Sequence, residues 1–268
     1  MDNLKIAAIC MRAVPGEIER NLDRMQSFVS EATKAGADIV CFPELCVTGY
    51  VLKRVLDVYG DLDSEGAIER LVHISREAEV VLIAGLIEIG GDEKPYISQV
   101  ITGPEGLIGI YRKTHLSPAE KDVYGAGQEI KVFSHEKTTF GVQLCYEAHF
   151  PEISTRMAII GADIVFIPHA SPRGKPEEKY KSWLRHLPAR AFDNGVFVVA
   201  CNQVGETTEG LSFPGVAVVF GPDGRLLAKY VGKKEKILFA ELEAGMLRNV
   251  RTHRMRYFLP ERRPELYK

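Results

Sequence analysis

The feature that most narrows the possible folds is a series of short apolar runs with little polar alternation. Lys5–Cys10, Asp38–Phe42, Val80–Ile87, Gln99–Thr102, Leu107–Tyr111, Phe140–Cys145, Asp163–Pro168, Val196–Asn202, Val216–Phe220 and Leu226–Tyr230 each read as a strand, about ten in all. A strand that is apolar on both faces needs cover on both faces, which an open sheet with one wet side does not give. Amphipathic stretches lie between the runs. Ile18, Leu22, Met25, Val29 and Ala32 recur at helical spacing, and Gly36 supplies a C-terminal stop. Ser64–Ala78 reads as a second helix, with Ser64 as cap and Ile68, Leu71, Val72 and Ser75 on one face. Two more are expected, over about Pro151–Ile160 and about Glu177–Asn194, the last ended by Gly195 and open to a kink or break at Pro188.

The first half alternates strand and helix, whereas Lys94–Arg112 and Val216–Phe239 read as hairpins or meanders, so the sheets should be mixed. Two such sheets stacked face to face, with helices outside, make an α/β four-layer α-β-β-α sandwich. At 268 residues, with no Pro-, Gly- or Ser-rich linker, the chain is expected to be one domain. From about Arg251 the sequence turns basic, aromatic and Pro-interrupted, and this tail should wrap over a surface or reach a partner subunit.

Charge excludes some functions. With 34 basic and 36 acidic residues and a net charge of -2, no bulk field attracts nucleic acid or an anionic membrane. The basic run Lys229–Lys236 is broken by Tyr230, Val231, Gly232 and Glu235 and reads as a solvated hairpin edge. The apolar stretch Ile6–Met11 is too short for a signal core or a bilayer span. Five cysteines without paired spacing, at 10, 41, 46, 145 and 201, point to free thiols and the cytoplasm. Gly-x-Ser-x-Gly, Gly-Lys-Ser/Thr and Gly-x-Gly-x-x-Gly motifs are absent, and the seven histidines lack zinc spacing, so no cofactor or metal is expected. Asp61-Leu-Asp63-Ser-Glu65-Gly66 imitates a calcium loop, but the position needing a bidentate glutamate is Val72, and the segment reads as a helix-entry turn.

Three segments place a reactive side chain at or just past the end of a buried strand: Glu44 after Asp-Ile-Val-Cys-Phe-Pro, Lys113 after Ile108-Gly-Ile-Tyr-Arg, and Cys145 after Thr139-Phe-Gly-Val-Gln-Leu. Ligands gather at strand ends, so a base, a cation and a nucleophile could converge there. Singly, each has a plainer reading: an inert core thiol, a surface cation, a helix-capping carboxylate.

Order and flanking residues add a further reading. Phe-Pro-Glu44-Leu-Cys-Val-Thr-Gly-Tyr50, then Tyr-Arg-Lys113-Thr-His-Leu with Glu120, then Gly-Val-Gln-Leu-Cys145-Tyr-Glu-Ala-His-Phe-Pro-Glu152 resemble the three signature segments of the nitrilase, or carbon-nitrogen hydrolase, superfamily. Gly161–Pro168, Ala189–Val199 with Asn202 and Gly205, and Phe220–Ala228 are similar to its later blocks. The resemblance implies the four-layer fold and a catalytic Glu44, Lys113 and Cys145 triad, with Glu120 as the second glutamate that holds the lysine. It also implies at least a homodimer, for which Ile153, Met157, Ile159 and Ile160 offer apolar surface. The expected activity is hydrolysis of a small carboxamide through a thioester. Ureido hydrolysis and then nitrile hydrolysis are the alternatives within the family, and a non-catalytic binding protein is the alternative outside catalysis. Substrate contacts are expected from Tyr50, Tyr146, Glu147, His149, Phe150, His169, Ala170, Ser171, Arg173 and Trp183, with His115 also near the motifs. Arg173 could pair with a substrate carboxylate, or it could be a surface arginine in the Ser-Pro-Arg-Gly turn.

Overall fold

The computed structural model describes residues 1–52, 55, 62–90, 94–207 and 210–266. Its strands are β1 (Leu4–Cys10), β2 (Ile39–Cys41), β3 (Val81–Glu88), β4 (Tyr96–Gly103), β5 (Gly106–Arg112), β6 (Val132–His135), β7 (Thr138–Val142), β8 (Ile164–His169), β9 (Phe197–Asn202), β10 (Gly205–Glu206), β11 (Ser212–Phe213), β12 (Gly215–Phe220), β13 (Leu226–Gly232) and β14 (Lys236–Leu242). The helices are α1 (Ile18–Lys34), α2 (Ser64–Ala78), α3 (Pro151–Ile159), α4 (Pro176–Trp183), α5 (Leu187–Asn194) and α6 (Ala244–Arg251).

Two six-stranded mixed sheets carry the fold, in the orders β14-β1-β2-β3-β4-β5 and β13-β12-β9-β8-β7-β6. Both follow one plan: three parallel strands (β1-β2-β3 and β7-β8-β9), an antiparallel strand on one flank, and an antiparallel hairpin on the other. Helices α1 and α2 cover the first sheet, α3, α4 and α5 cover the second, and β1 packs on β9 and β12 between them. The four-layer α-β-β-α sandwich expected from doubly apolar strands is therefore present. Ile164–Pro168 and Phe197–Cys201 are buried along their whole length, as central parallel strands must be.

The sequence reading differs in a few places. Val216–Phe239 is a hairpin only as far as β13. The next strand, β14, leaves for the other sheet and pairs antiparallel with β1 from Leu4↔Leu242 to Cys10↔Lys236. The basic run Lys229–Lys236 thus links the edges of two sheets, because alternation along a strand does not name its partner. The second helix is capped one residue earlier than expected: Asp63 accepts from Gly66 N at 2.8 Å, while Ser64 Oγ accepts from Ile89 N at 3.0 Å. That cap agrees with a helix-entry turn at Asp63–Gly66, and Asp61 lies outside the described residues. The long fourth helix is broken, with α4 ending at Trp183 and α5 starting at Leu187 so that Pro188 sits in a first turn, where its missing N–H costs nothing. Ile153 and Met157 of α3 are core residues, leaving Ile159 at 47% exposure as the apolar side chain that faces outward.

The tail is anchored at its start. Arg251 Nη1 meets Asp163 Oδ1 at 2.6 Å and Nη2 donates to Ala162 O at 2.9 Å, and Phe258 then lies 5.5 Å from the Phe192 ring of α5. All five cysteines are free, and all but Cys145 are buried. Cys41 of β2 and Cys201 of β9 face each other across the sheet interface with 4.0 Å between sulfurs.

Candidate active site

Glu44 leaves β2 through a tight turn. Phe42 N still donates to Ile83 O at 2.9 Å, after which Pro43 has no N–H to continue the ladder and Leu45 adopts φ +54°. A left-handed leucine costs about 1–2 kcal/mol and persists only where its surroundings fix it. Here Gln203 Nε2 donates to Glu44 O at 2.8 Å and Val47 N donates to Gly85 O at 2.9 Å. Gly85 must be glycine for this, since a Cβ there would collide with Leu45 N.

Lys113 follows β5, its N–H donating to Ile97 O at 2.9 Å, and its ammonium is fully buried. Nζ donates to Glu44 Oε1 at 2.7 Å and to Glu120 Oε1 at 2.8 Å. Glu120 Oε2 accepts from Ser117 N at 2.7 Å, and Glu44 Oε2 accepts from Ala170 N at 2.8 Å, one residue beyond β8. Residues 69 and 7 positions from Lys113 are thereby brought onto one nitrogen.

Cys145 begins a 3-10 turn, Cys145–His149, with φ +44°. Its buried neighbour Glu147 explains how the turn survives. The Glu147 carboxylate accepts from Leu144 N at 2.6 Å, Thr114 N at 2.7 Å, Thr114 Oγ1 at 2.6 Å, His115 N at 3.3 Å and Tyr111 Oη at 2.9 Å. One carboxylate thus clamps the segment that carries Lys113 to the segment that carries Cys145. Arg190 Nε of α5 donates to Ala148 O at 3.1 Å and braces the turn from outside.

Electrostatics couple these groups. Burial, and then the charge of Glu44, push the Cys145 thiol up, with Lys113 opposing, so at neutral pH the sulfur keeps its proton. Burial likewise pushes Glu44 up, Lys113 pulls it down and Glu120 pushes it up, with a net rise. Burial works against the charge on Lys113, but Glu44 and Glu120 outweigh it and hold the ammonium well above the usual lysine range. Burial and the charges of Glu120, Glu44 and Cys145 push the Tyr50 phenol up, which places that ring beside the same cluster.

Of the expected substrate contacts, Tyr50, Ala170 and Ser171 adjoin the cluster, and Tyr146 follows the thiol, its ring 5.6 Å from Phe150. His169 is buried 4.3 Å from Trp183 and donates from Nδ1 to Ile167 O at 2.7 Å; burial drives its pKa well down, so it is neutral. His149 stands further out, exposed and 4.7 Å from His186, and Phe150 lies 4.4 Å from His115. One side chain departs from expectation, and another follows the plainer of its two readings. Glu147 is engaged throughout by the donors named above and serves as a clamp, because a buried carboxylate takes the nearest backbone N–H groups. Arg173 is exposed at φ +75°, its N–H on Ser212 O at 2.8 Å, and it does not join the cluster. Sequence reasoning missed Lys179, Asn202 as a side-chain ligand, and Gln203. Asn202 Oδ1 and Nδ2 bond Ser171 N at 2.9 Å and Ser171 O at 3.1 Å, and Lys179 Nζ donates to Ser171 Oγ at 2.6 Å.

The carbon-nitrogen hydrolase family pattern matches residues 5–252. The chain belongs to that family. It is 31% identical over 268 residues to a nitrilase of Pyrococcus abyssi, covering 98% of this chain and 99% of that protein. It is 30% identical over 285 residues to the N-carbamoylputrescine amidase of Oryza sativa subsp. japonica, covering 99% of this chain and 93% of that protein. Among solved structures, a point mutant of the amidase from Nesterenkonia sp. AN1 superposes with a TM-score of 0.86 at 27% identity, over 98% of both chains; that structure shows the result of Michael addition of acrylamide at its active-site cysteine. The chain is a cysteine-dependent hydrolase of carbon-nitrogen bonds. Among the described residues, no helix is long and apolar enough to cross a membrane.

The clamp gives a testable consequence. Glu147→Ala strands Leu144 N and Thr114 N in the interior, and each buried unpaired donor costs about 1–3 kcal/mol. Chemical denaturation should show a loss of at least about 2 kcal/mol, and Glu147→Gln should recover part of it. A loss below about 0.5 kcal/mol for the alanine variant would contradict the clamp.

Proposed function

We propose that this hydrolase is an amidase that converts a small carboxamide to carboxylate and ammonia, with Cys145 as nucleophile, Glu44 as general base and acid, Lys113 as electrostatic stabiliser and Glu120 as the group that holds Lys113. The observation that carries this reading is one buried ammonium bonded to Glu44 and Glu120, beside a thiol presented on a left-handed turn. The Cys145 proton passes to Glu44 as sulfur adds to the amide carbon. The negative charge that develops on the carbonyl oxygen is met by Lys113 and the backbone N–H of Tyr146. The carbon-nitrogen bond then breaks, Glu44 returns its proton to the nitrogen, ammonia departs and a thioester remains. Glu44 next takes a proton from water, hydroxide adds to the thioester, and the thiolate leaves and is reprotonated. Because burial raises both Glu44 and Cys145, the base is stronger than a solvated carboxylate and the thiol is not lost to a resting thiolate.

The second reading is hydrolysis of a ureido group, which needs the same attack at a carbonyl carbon. It is supported by the similarity to N-carbamoylputrescine amidase. Five free thiols suit a reducing compartment, and cytoplasm is proposed on that ground. A homodimer is proposed as well. Ile159, Leu184 and Phe192 are exposed apolar side chains on or beside α3, α4 and α5, and Phe192 continues into the tail through Phe258, itself 42% exposed.

Three outcomes follow. Ammonia release from a panel of amides, ureido compounds and nitriles should be highest for amides, with a mass increase on Cys145 in intact protein quenched during turnover; Cys145→Ala should lose essentially all of both, and wild-type turnover by that variant would refute the mechanism. Only the ionised form of Glu44 accepts a proton, so kcat/KM should fall as pH drops through a pKa above the usual carboxylate range, and Glu44→Gln should remove that limb together with nearly all the activity. A rate that stays flat down to about pH 4 would exclude Glu44 as the base. Light scattering at micromolar concentration should give twice the 29.8 kDa chain mass, and a clean monomer would refute the dimer.

A further inference from the structure

Lys179 has no place in the chemistry above, yet it is held against it. Its ammonium donates to Ser171 Oγ at 2.6 Å and to Pro172 O at 3.3 Å, both uncharged acceptors, and among the described residues no carboxylate pairs with it. The side chain is half-buried. Its position is fixed from two directions. Ser171 is tied through both backbone groups to Asn202, and the preceding residue, Ala170, donates to Glu44 Oε2 at 2.8 Å. Lys179 also lies one helical turn before Trp183 on α4, and Trp183 is buried against His169, so this face of α4 is turned toward the end of β8. The ammonium is near enough for its charge to act on the Cys145 thiol and on His169.

A partly desolvated cation with only neutral acceptors is short of a counter-charge, and a ligand can supply one. Glu44 and Glu120 bond Lys113, and neither forms an ion pair with Lys179. We propose that Lys179 is a specificity residue that pairs with a carboxylate on the acyl side of the substrate, which makes monoamides of short dicarboxylic acids the preferred class. The inference rests on the amidase reading and extends it. It assigns to Lys179 the role that sequence alone offered to Arg173, which is exposed on the same loop. A substrate ending in an amine, such as an N-carbamoyl diamine, would instead bring a second ammonium toward Lys179 and be disfavoured.

Three amides of equal chain length test this: glutaric acid monoamide, pentanamide and 5-aminopentanamide. The wild type should favour the acid over the neutral amide in kcat/KM by on the order of ten- to a hundredfold, chiefly through KM. Lys179→Gln should reduce that ratio to within about threefold of unity, Lys179→Arg should keep most of it, and Lys179→Glu should turn the preference toward the amine. An acid-to-neutral ratio unchanged in Lys179→Gln, or an equal loss on all three amides, would overturn the proposal. Calorimetric binding of the same compounds to Cys145→Ala and to Cys145→Ala/Lys179→Gln reads the preference without turnover. An acid preference there that Lys179→Gln abolishes, in a wild type that hydrolyses none of them, would sink the amidase reading and leave the Lys179 assignment standing. Equal affinities for acid and neutral amides would overturn the assignment even in an active amidase.

Discussion

One ammonium buried between two carboxylates governs the rest of this structure. Removing a cation from water costs several kcal/mol, and Lys113 recovers that only because Glu44 and Glu120 both lie within 2.8 Å. Two segments distant in sequence, around Glu44 and from Lys113 to Glu120, are thereby obliged to meet. Deleting Lys113 would leave both buried carboxylates without a counter-charge, a loss of about 3–5 kcal/mol by analogy with other buried pairs. The same arrangement leaves two acids against one base: burial raises Glu44 and keeps Cys145 protonated, and the charges of Glu120 on the first and Glu44 on the second add to it. Stability and the proposed proton-transfer chemistry therefore draw on one cluster.

The sheets exist to position that cluster. Glu44 and Ala170 stand past the ends of β2 and β8, the middle parallel strands of the two sheets, and the bond between Ala170 N and Glu44 Oε2 joins the sheets at that point. Two non-glycine residues with left-handed backbone, Leu45 and Cys145, adjoin or carry the groups proposed to react. Each is held by hydrogen bonds: from Gln203 to Glu44 O at the first, and at the second from Leu144 N and Thr114 N to the Glu147 carboxylate. The strain is small beside the buried charge, but it aims a side chain that a relaxed turn would direct elsewhere.

Much of this could be read from the residues. Runs apolar on both faces required a covered sheet, and the strands they marked form the centres of both sheets. The edges were harder. Val132–His135 and Lys236–Leu242 are half exposed and mix polar with apolar residues, so neither gives a clean period, and the partner of β14 lies at the far end of the sequence. Within the site, the motif segments pointed to Glu44, Lys113, Glu120 and Cys145, and the structure gathers them. Roles that depend on where a side chain ends up were not readable. Glu147 resembles a pocket residue from its place beside Cys145 but is drawn inward by the N–H groups of two loops. Lys179 resembles any lysine on a polar helix, and its significance rests on Ser171 and Asn202, which only folding brings near.

The four cysteines outside this cluster have their own meaning. Cys10, Cys41, Cys46 and Cys201 are buried in the first sheet and across from it, and burial pushes Cys10, Cys46 and Cys201 far from ionisation. A thiol so placed is silent toward electrophiles until solvent enters. Cys41 and Cys201 belong to opposite sheets, so their becoming reactive would time the parting of the sandwich, and the chain carries a built-in reporter of its own opening.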